Sequence, residues 1–350
     1  MKRTHPRYST LYKIAGTEPF RLASTQILGS KKKEVLHGKW GGNLQNKNKD
    51  IRKYFLADEG KTMFQIDESG ADALIVAYLC PPGCKFRELF INGIKPHTYC
   101  AATIFKPVYE AMGFSDIDSL LEAPINTLPA NPKWRLLEKA IKDSDNEVMR
   151  YYYLGKKTIH GSNYDMRGNT MATAITTETD GAVNLSGEFC NKLLETWHLK
   201  MPEIRKVFHN ETVTRASTCK GFLRNLFRHP REFTGRWEDA TFREMYAFIP
   251  ASTVALIIHY AVTEIAEDIY YNRIDNKKWG IDLLQNGHDS FLAQCWTEHL
   301  AEVVKYAQPK VERELTNFCG EKFRMKSEVQ VGLNWGPKKK DNEDGLAEYF

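Results

Sequence analysis

The stretch from Lys61 to Leu79 constrains this chain more than any other. Thr62 to Ile66 is apolar and partly β-branched, Ser69 and Gly70 break the run, and Ala71 to Leu79 is built of helix formers with a broad apolar face. The pattern is a strand that delivers Asp67 to its own end and then turns into a helix. A carboxylate at that address suits a metal ion. It equally suits a helix cap, accepting the free amide hydrogens of the first turn. The segment alone leaves both readings open.

A chain of 350 residues has room for one large domain or two to three sub-domains, and for a core that needs no staples. The net charge of +5 suits an anionic partner without demanding one, because a solvated charged surface gives the same balance. The seven cysteines are scattered. Cys80 and Cys84 form the one close pair and have no second pair to complete a zinc site, so reduced thiols in a cytoplasm are expected. The basic N-terminus is not followed by an apolar segment, and no apolar run approaches membrane-spanning length. A soluble, unexported protein without a membrane partner is the expectation.

Residues 1 to about 50 are polar and basic, with Lys31 to Lys33 and Gly38 to Gly42 pointing to exposed loops. Arg21 in Thr17 to Ser24, and Asn43, Gln45 and Asn46, are residue types used for groove and phosphate contacts; a plain surface loop explains them as well. Pro96 opens a helix with His97 in its first turn, free to meet a phosphate or simply to face water. Pro107, Pro124, Pro129 and Pro132 mark 106 to about 135 as an irregular insertion. Lys156, His160 and Tyr164 follow four residues apart. On a helix they share one face, which could grip a triphosphate, a sugar and a base, with Gly161 leaving room beside them; an amphipathic surface helix has the same pattern.

Residues 185 to 215 read as an amphipathic helix. Gly221 to Phe233, with Arg224, Arg228 and Arg231, reads as a basic, aromatic, strand-like stretch fit to follow a nucleic-acid backbone. Phe248 to Ile265 is a helix apolar nearly all round, hence a core helix. From Ile281 to Cys295, two apolar runs flank an Asn-Gly turn. The hairpin this predicts carries His288 and Asp289 at its tip, where a second carboxylate could come beside Asp67. The polar, acidic end of the chain is expected to fray.

In this order the strings resemble the polymerase domain of family A (polymerase I-like) DNA polymerases, bacteriophage-type members in particular, from about residue 17 to about 337. Arg21-Leu-Ala-Ser and Asn43-Leu-Gln-Asn46 resemble two N-terminal elements of that family. Ile51 to Leu79 resembles motif A with its Asp at Asp67, and Pro96-His97-Thr98 is similar to Ile-His-Thr. Lys156 to Asp165 resembles motif B, Pro250 to Ala255 the long palm helix, His288-Asp289-Ser290 motif C, and Gly332 to Gly336 the closing string.

The resemblance implies an α+β right-hand architecture, an antiparallel palm sheet with helices plus helical fingers. The organisation it implies is an N-terminal junction over 1–50, palm over 51–95, fingers with an insertion over 96–220, and palm with the C-terminal tail over 221–350. The implied activity is template-directed transfer of deoxynucleotides from dNTPs to a primer 3′-hydroxyl. Asp67 and Asp289 would hold two Mg2+ ions ~4 Å apart, with the backbone carbonyl of Glu68 completing one site. Lys156 and His97 would hold the triphosphate, His160 would take the place of the aromatic that packs on the sugar, and Tyr164 would stack near the templating position. Primer-template contacts are implied for Arg21, Asn43, Gln45, Asn46, Arg224, Arg228, Gln285 and His288.

Several positions depart from the family pattern. Asp72 stands for the Glu that excludes a 2′-hydroxyl, Gly70 and Leu74 replace a Gln and an Arg, and Asp165 replaces the glycine after the tyrosine. Tyr152 stands where the family has Arg, leaving Arg150 as the displaced cation, and the spacing from Gln285 to His288 is one residue longer. Family members precede this region with a helical thumb and often an exonuclease domain. A second polypeptide supplying thumb, exonuclease or processivity functions is therefore an expected partner, in a cytoplasm that would be the host's if the protein is viral. Two other readings stand beside the polymerase: a non-catalytic nucleic-acid-binding remnant and a single-subunit RNA polymerase relative.

Overall fold

The structure, a computed structural model, describes residues 49–143 and 150–349 and, before them, the backbone of four short strands. The chain forms two compact units, one made of Met1–Ala71 with Ala251–Phe350 and the other of Asp72–Pro250. In the first, β1 (Leu11–Lys13) pairs with β2 (Ala23–Thr25) and β3 (Ile27–Leu28) with β4 (Lys39–Trp40). The short helix α1 (Lys49–Arg52) leads to β5 (Lys61–Glu68), which turns through Gly70, at φ 61°, into α2 (Ala71–Leu79). The positive φ is the conformation that glycine adopts without a steric penalty. Helix α2 buries Leu74, Ile75, Val76 and Ala77, so it is apolar over much of its circumference.

The Asp72–Pro250 unit is mainly helical. It runs through α3 (Lys85–Ile91), α4 (Pro96–Ile104), α5 (Lys106–Ala111), α6 (Ile117–Glu122), a 3-10 turn (Ile125–Ala130) and α7 (Pro132–Asp143). The irregular insertion expected over 106 to 135 is thus largely helix. Pro107 lies in the first turn of α5, Pro124 precedes the 3-10 turn and Pro132 opens α7. Proline is tolerated at those places because the first-turn amide has no intrahelical acceptor. Leu120, Leu121, Trp134, Leu137 and Ile141 anchor the segment in the core.

Next come α8 (Tyr151–Asn163), α9 (Gly168–Glu178), α10 (Gly187–Lys200), a π-helical turn (Ile204–His209) and α11 (Asn210–Thr218). The single helix expected over 185 to 215 breaks at Met201, whose φ of −125° and ψ of 66° lie outside the α region that the following Pro202 disfavours. The basic stretch forms a hairpin of β6 (Phe222–Arg224) and β7 (Pro230–Glu232), and α12 (Asp239–Tyr270) follows. Trp197 centres the core, with ring centres 6.2 Å from Phe86 and 6.4 Å from Tyr99. Helices α4 and α8 touch along their backbones. A Cβ on Gly155 would lie 2.5 Å from the His97 carbonyl oxygen, so only glycine fits there.

Helix α12 contains an 18-residue window with a mean hydropathy of 1.6, long and apolar enough to cross a membrane by length and composition. This corrects the expectation that no run approaches that length. Of that window, 72% is buried inside the protein, which identifies a core helix and explains its all-round apolar sequence.

The remaining elements are α13 (Asn276–Trp279), β8 (Asp282–Asn286), β9 (Ser290–Trp296), α14 (Leu300–Val311), β10 (Glu314–Thr316), β11 (Lys322–Arg324), β12 (Ser327–Gly332) and β13 (Ala347–Glu348). Five of the strands form one antiparallel sheet in the order β13-β12-β5-β9-β8. Phe64 and Ile66 pair with Ala293 and Phe291 on a buried face, and α14 packs on the sheet. Met63 and Leu292 bury the other face beneath Trp335 and Leu346. The end of the chain is therefore folded, not frayed. The amide of Asn342 donates to Asn334 Oδ1 and to the Pro337 carbonyl, holding the last turn against the sheet edge.

Candidate active site

In the sheet unit, the register of β5 and β9 sets the position of both carboxylates. Asp67 lies opposite Ser290, and one step further the Glu68 N–H donates to the Asp289 carbonyl at 2.9 Å. Asp67 at the end of β5 and Asp289 just before β9 are therefore one residue step apart across the two strands. The loop between β8 and β9 is Gly287-His288-Asp289, closed by the Gly287 N–H donating to the Ser290 carbonyl at 2.6 Å. A Cβ on Gly287 would lie 2.7 Å from both oxygens of Ser290, so the tight tip requires glycine. Gln285 pairs with Leu292 just after a bulge at Leu284, and His288 is half-buried.

Asp67 is half-buried and Asp289 is exposed. The Glu68 side chain is 3% exposed on the opposite face of the sheet, because successive strand residues alternate. Its carboxylate is thus turned away from the Asp67 side. A third acid, not anticipated from the sequence, stands in register with Asp67. Glu328 on β12 is its cross-strand partner, and Ser69 Oγ donates to Glu328 Oε1 at 3.1 Å. The alternation of Ser327 to Val331, just before the closing string, is the signal that could have located it. Among the described residues, no group of three or more His, Cys, Asp or Glu converges as a metal cage.

In the helical unit, α8 carries the expected row. Lys156 and His160 are exposed, and Tyr164 is the C-terminal cap residue with its ring centre 4.8 Å from His160, edge to face. Lys157 is tied to Glu178, which also accepts from the Tyr153 hydroxyl at 2.9 Å. Lys156 makes no ion pair among the described residues. Burial, then the charges of Lys156 and Lys95, push the His97 imidazole down to about 3, so this ring is neutral at pH 7. His97 meets Tyr152 edge-on with ring centres 5.8 Å apart.

The space expected beside Gly161 for a substrate is occupied by the protein. A Cβ there would lie 2.9 Å from Leu194 Cδ2 of α10, so the glycine serves helix packing. Arg150 precedes α8 in the left-handed region at φ 48°, and Asp72 lies in the first turn of α2. Asp165, where the family pattern has glycine, has φ 51°, a conformation that Asp tolerates better than most side chains. Two residues missed by sequence reasoning hold this end of α8. Arg205 binds the Asp165 carboxylate, and His209 bonds to the Asn163 carbonyl.

Of the basic hairpin, Arg224 and Arg228 are exposed, and Arg224 Nη1 donates to the Arg228 carbonyl at 2.9 Å. Arg231 is instead paired with Glu244 and stacked over Phe233. Arg21, Asn43, Gln45 and Asn46 lie outside the described residues.

Comparison with protein-family models and with curated protein sequences gives no match. Among solved structures, the chain is similar to the POL domain of Pol1 from M. smegmatis, a complex with DNA primer-template and dNTP, with a TM-score of 0.62 and 17% identity. The likeness covers 93% of this chain and 48% of that one, so the chain spans about half the length of the structure it matches. The fold is that of a polymerase palm, an antiparallel sheet with helices, together with helical fingers.

Proposed function

We propose that this chain is a DNA-directed DNA polymerase of family A, of bacteriophage type, transferring deoxynucleotides from dNTPs to a primer 3′-hydroxyl. The observation that supports the reading is the β5 and β9 register, in which the backbones of Asp67, at a strand end, and Asp289, at a hairpin tip, lie one residue step apart. Two like charges are costly to hold together unless a cation joins them. The donor set of two carboxylates and the Glu68 carbonyl is all oxygen, which fits Mg2+, an ion that keeps waters and substrate phosphates in its shell. When bound, two such ions would lower the pKa of the primer 3′-hydroxyl and offset the negative charge of the leaving pyrophosphate.

The chain's own residues do the remaining work in this reading. Lys156, an exposed cation without a partner among the described residues, holds the triphosphate. His97 donates a hydrogen bond to it from a neutral ring. The edge-to-face pair of His160 and Tyr164 meets sugar and base, Asp72 stands near the 2′ position, and Arg150 supplies a second cation. Arg224, Arg228, Gln285 and His288 contact primer-template, with Arg21, Asn43, Gln45 and Asn46. A second polypeptide supplying thumb, exonuclease or processivity functions and a cytoplasmic setting, the host's for a viral protein, belong to the same proposal.

The test is extension of a primer on a DNA template in Mg2+, with deoxynucleotides and ribonucleotides supplied separately. Deoxynucleotide-dependent extension is expected. Binding without extension would favour a nucleic-acid-binding remnant, and extension with ribonucleotides alone a single-subunit RNA polymerase relative.

A further inference from the structure

We propose that Arg205 and His209, on the π-helical turn Ile204–His209, are positioning residues that fix Tyr164 from both sides, Arg205 anchored on the Asp165 carboxylate and His209 on the Asn163 carbonyl. The inference rests on the polymerase reading, in which Tyr164 lies beside the incoming nucleotide. Helix α8 ends in a Schellman arrangement: the Met166 N–H donates to the Gly161 carbonyl at 2.8 Å and the Asp165 N–H to the Ser162 carbonyl at 3.3 Å. Tyr164 is the cap residue of that motif. Asp165 is the left-handed residue after it, the place where glycine is usual.

An aspartate in that conformation is strained relative to glycine, and a partner compensates for it. Arg205 Nε and Nη2 both donate to Asp165 Oδ1, at 3.2 and 3.1 Å, while Nη1 donates to Glu195 Oε2 at 2.8 Å. On the other side of Tyr164, His209 Nε2 lies 2.9 Å from the Asn163 carbonyl. A carbonyl only accepts, so Nε2 carries the proton. His209 is 4% exposed, and its ring stacks on Tyr246 of α12 with centres 4.0 Å apart and planes 15° from parallel, which fixes its direction. The two gripping residues are four apart on one turn of π-helix, a widened turn found mostly as an insertion at functional places. The residues just before and just after Tyr164 are thus gripped by one element.

A glycine at 165 would release the strain and also remove the anchor, and this separates positioning from simple stability. With single-nucleotide incorporation as readout, Arg205→Ala and Asp165→Gly should each raise the KM for the templated dNTP about fivefold, leaving kcat within about twofold. The double variant should lose no more than either single one. Asp165→Gly should keep or raise the Tm while Arg205→Ala lowers it. His209→Phe should raise the same KM, and His209→Gln, which retains a donor, should restore part of it.

Hydrogen exchange over 161–166 reads the grip without activity. It should quicken in Arg205→Ala and His209→Phe. Unchanged exchange in both variants overturns the proposal. Active wild-type protein with an unchanged KM in all variants overturns the positioning role and leaves the polymerase reading intact. Wild-type protein that does not extend a primer overturns the polymerase reading, and with it the positioning role, whereas the exchange result still decides the grip.

Discussion

The candidate residues of the two units are held in place by different means. In the sheet unit, Asp67 and Asp289 are located by backbone pairing: the ladder from Lys61 with Trp296 to Asp67 with Ser290 leaves one register in which the apolar residues stay buried. In the helical unit, Lys156, His160 and Tyr164 stand on a helix located by side chains and close contacts. Gly155 lies against the His97 carbonyl, Leu194 fills the place of a Cβ on Gly161, and Arg205 and His209 hold its end. A ladder tolerates little drift in the positions of its residues. A helix held by side chains can carry an unusual residue where another side chain pairs with it, as Arg205 pairs with Asp165.

The largest effect should fall on the ladder half. Asp67→Asn or Asp289→Asn keeps shape and backbone pairing but removes charge, and loss of several kcal/mol of transition-state stabilisation lowers incorporation by roughly 10³-fold. Thermal stability of both variants should stay near wild type. A variant that retains a tenth of the activity would show that the register carries no chemistry.

On the helix half, Lys156→Ala should act on binding. Loss of one charge-assisted contact raises the nucleotide KM by about 10- to 100-fold, with DNA affinity nearly unchanged. An unaltered KM would return Lys156 to a solvated surface position.

Stability should divide the units as well. Burial pushes His97 and His198 down to about 3 and His209 to about 4, all three in the Asp72–Pro250 unit. Unfolded histidines titrate near 6.5, so between about 6.5 and 3 the unfolded chain binds more protons, and the stability these rings contribute is full above about 6.5 and lost as the pH falls. Hydrogen exchange at pH 7 and pH 5 should show the helical unit loosening first. Equal protection of that unit at both values would contradict this assignment.

The smallest effect concerns the sugar. Asp72 is one methylene shorter than the residue at that place in the resembled family, so Asp72→Glu should sharpen rejection of ribonucleotides by about 10-fold. The ratio of kcat/KM for dNTP and rNTP measures it, and no change would move the gate elsewhere.

Local chemistry explains what the sequence made legible. The strand from Lys61, the helix after Gly70, the helix opened by Pro96 and the Asn-Gly hairpin each announce themselves within a dozen residues, and they carry Asp67, His97 and Asp289. Relations distant in sequence were not legible. Glu328 joins Asp67 only through the order of strands in the sheet, and Arg205 meets Asp165 across 40 residues of chain. Prolines misled where they open helices, since Pro107 and Pro132 look alike in a loop and in a first turn. The end of the chain was misread because its polar composition hides Trp335 and Leu346, whose burial depends on the sheet beneath them.

The polymerase reading requires that the β5 and β9 register make a two-carboxylate metal site. The most direct measurement counts bound Mn2+, used in place of Mg2+, from its electron paramagnetic resonance signal, with a dideoxy-terminated primer-template and the matching dNTP present. About two ions per chain are predicted for the wild type, with clear loss in Asp67→Asn and Asp289→Asn. Mn2+ uptake that is the same in all three proteins would contradict it.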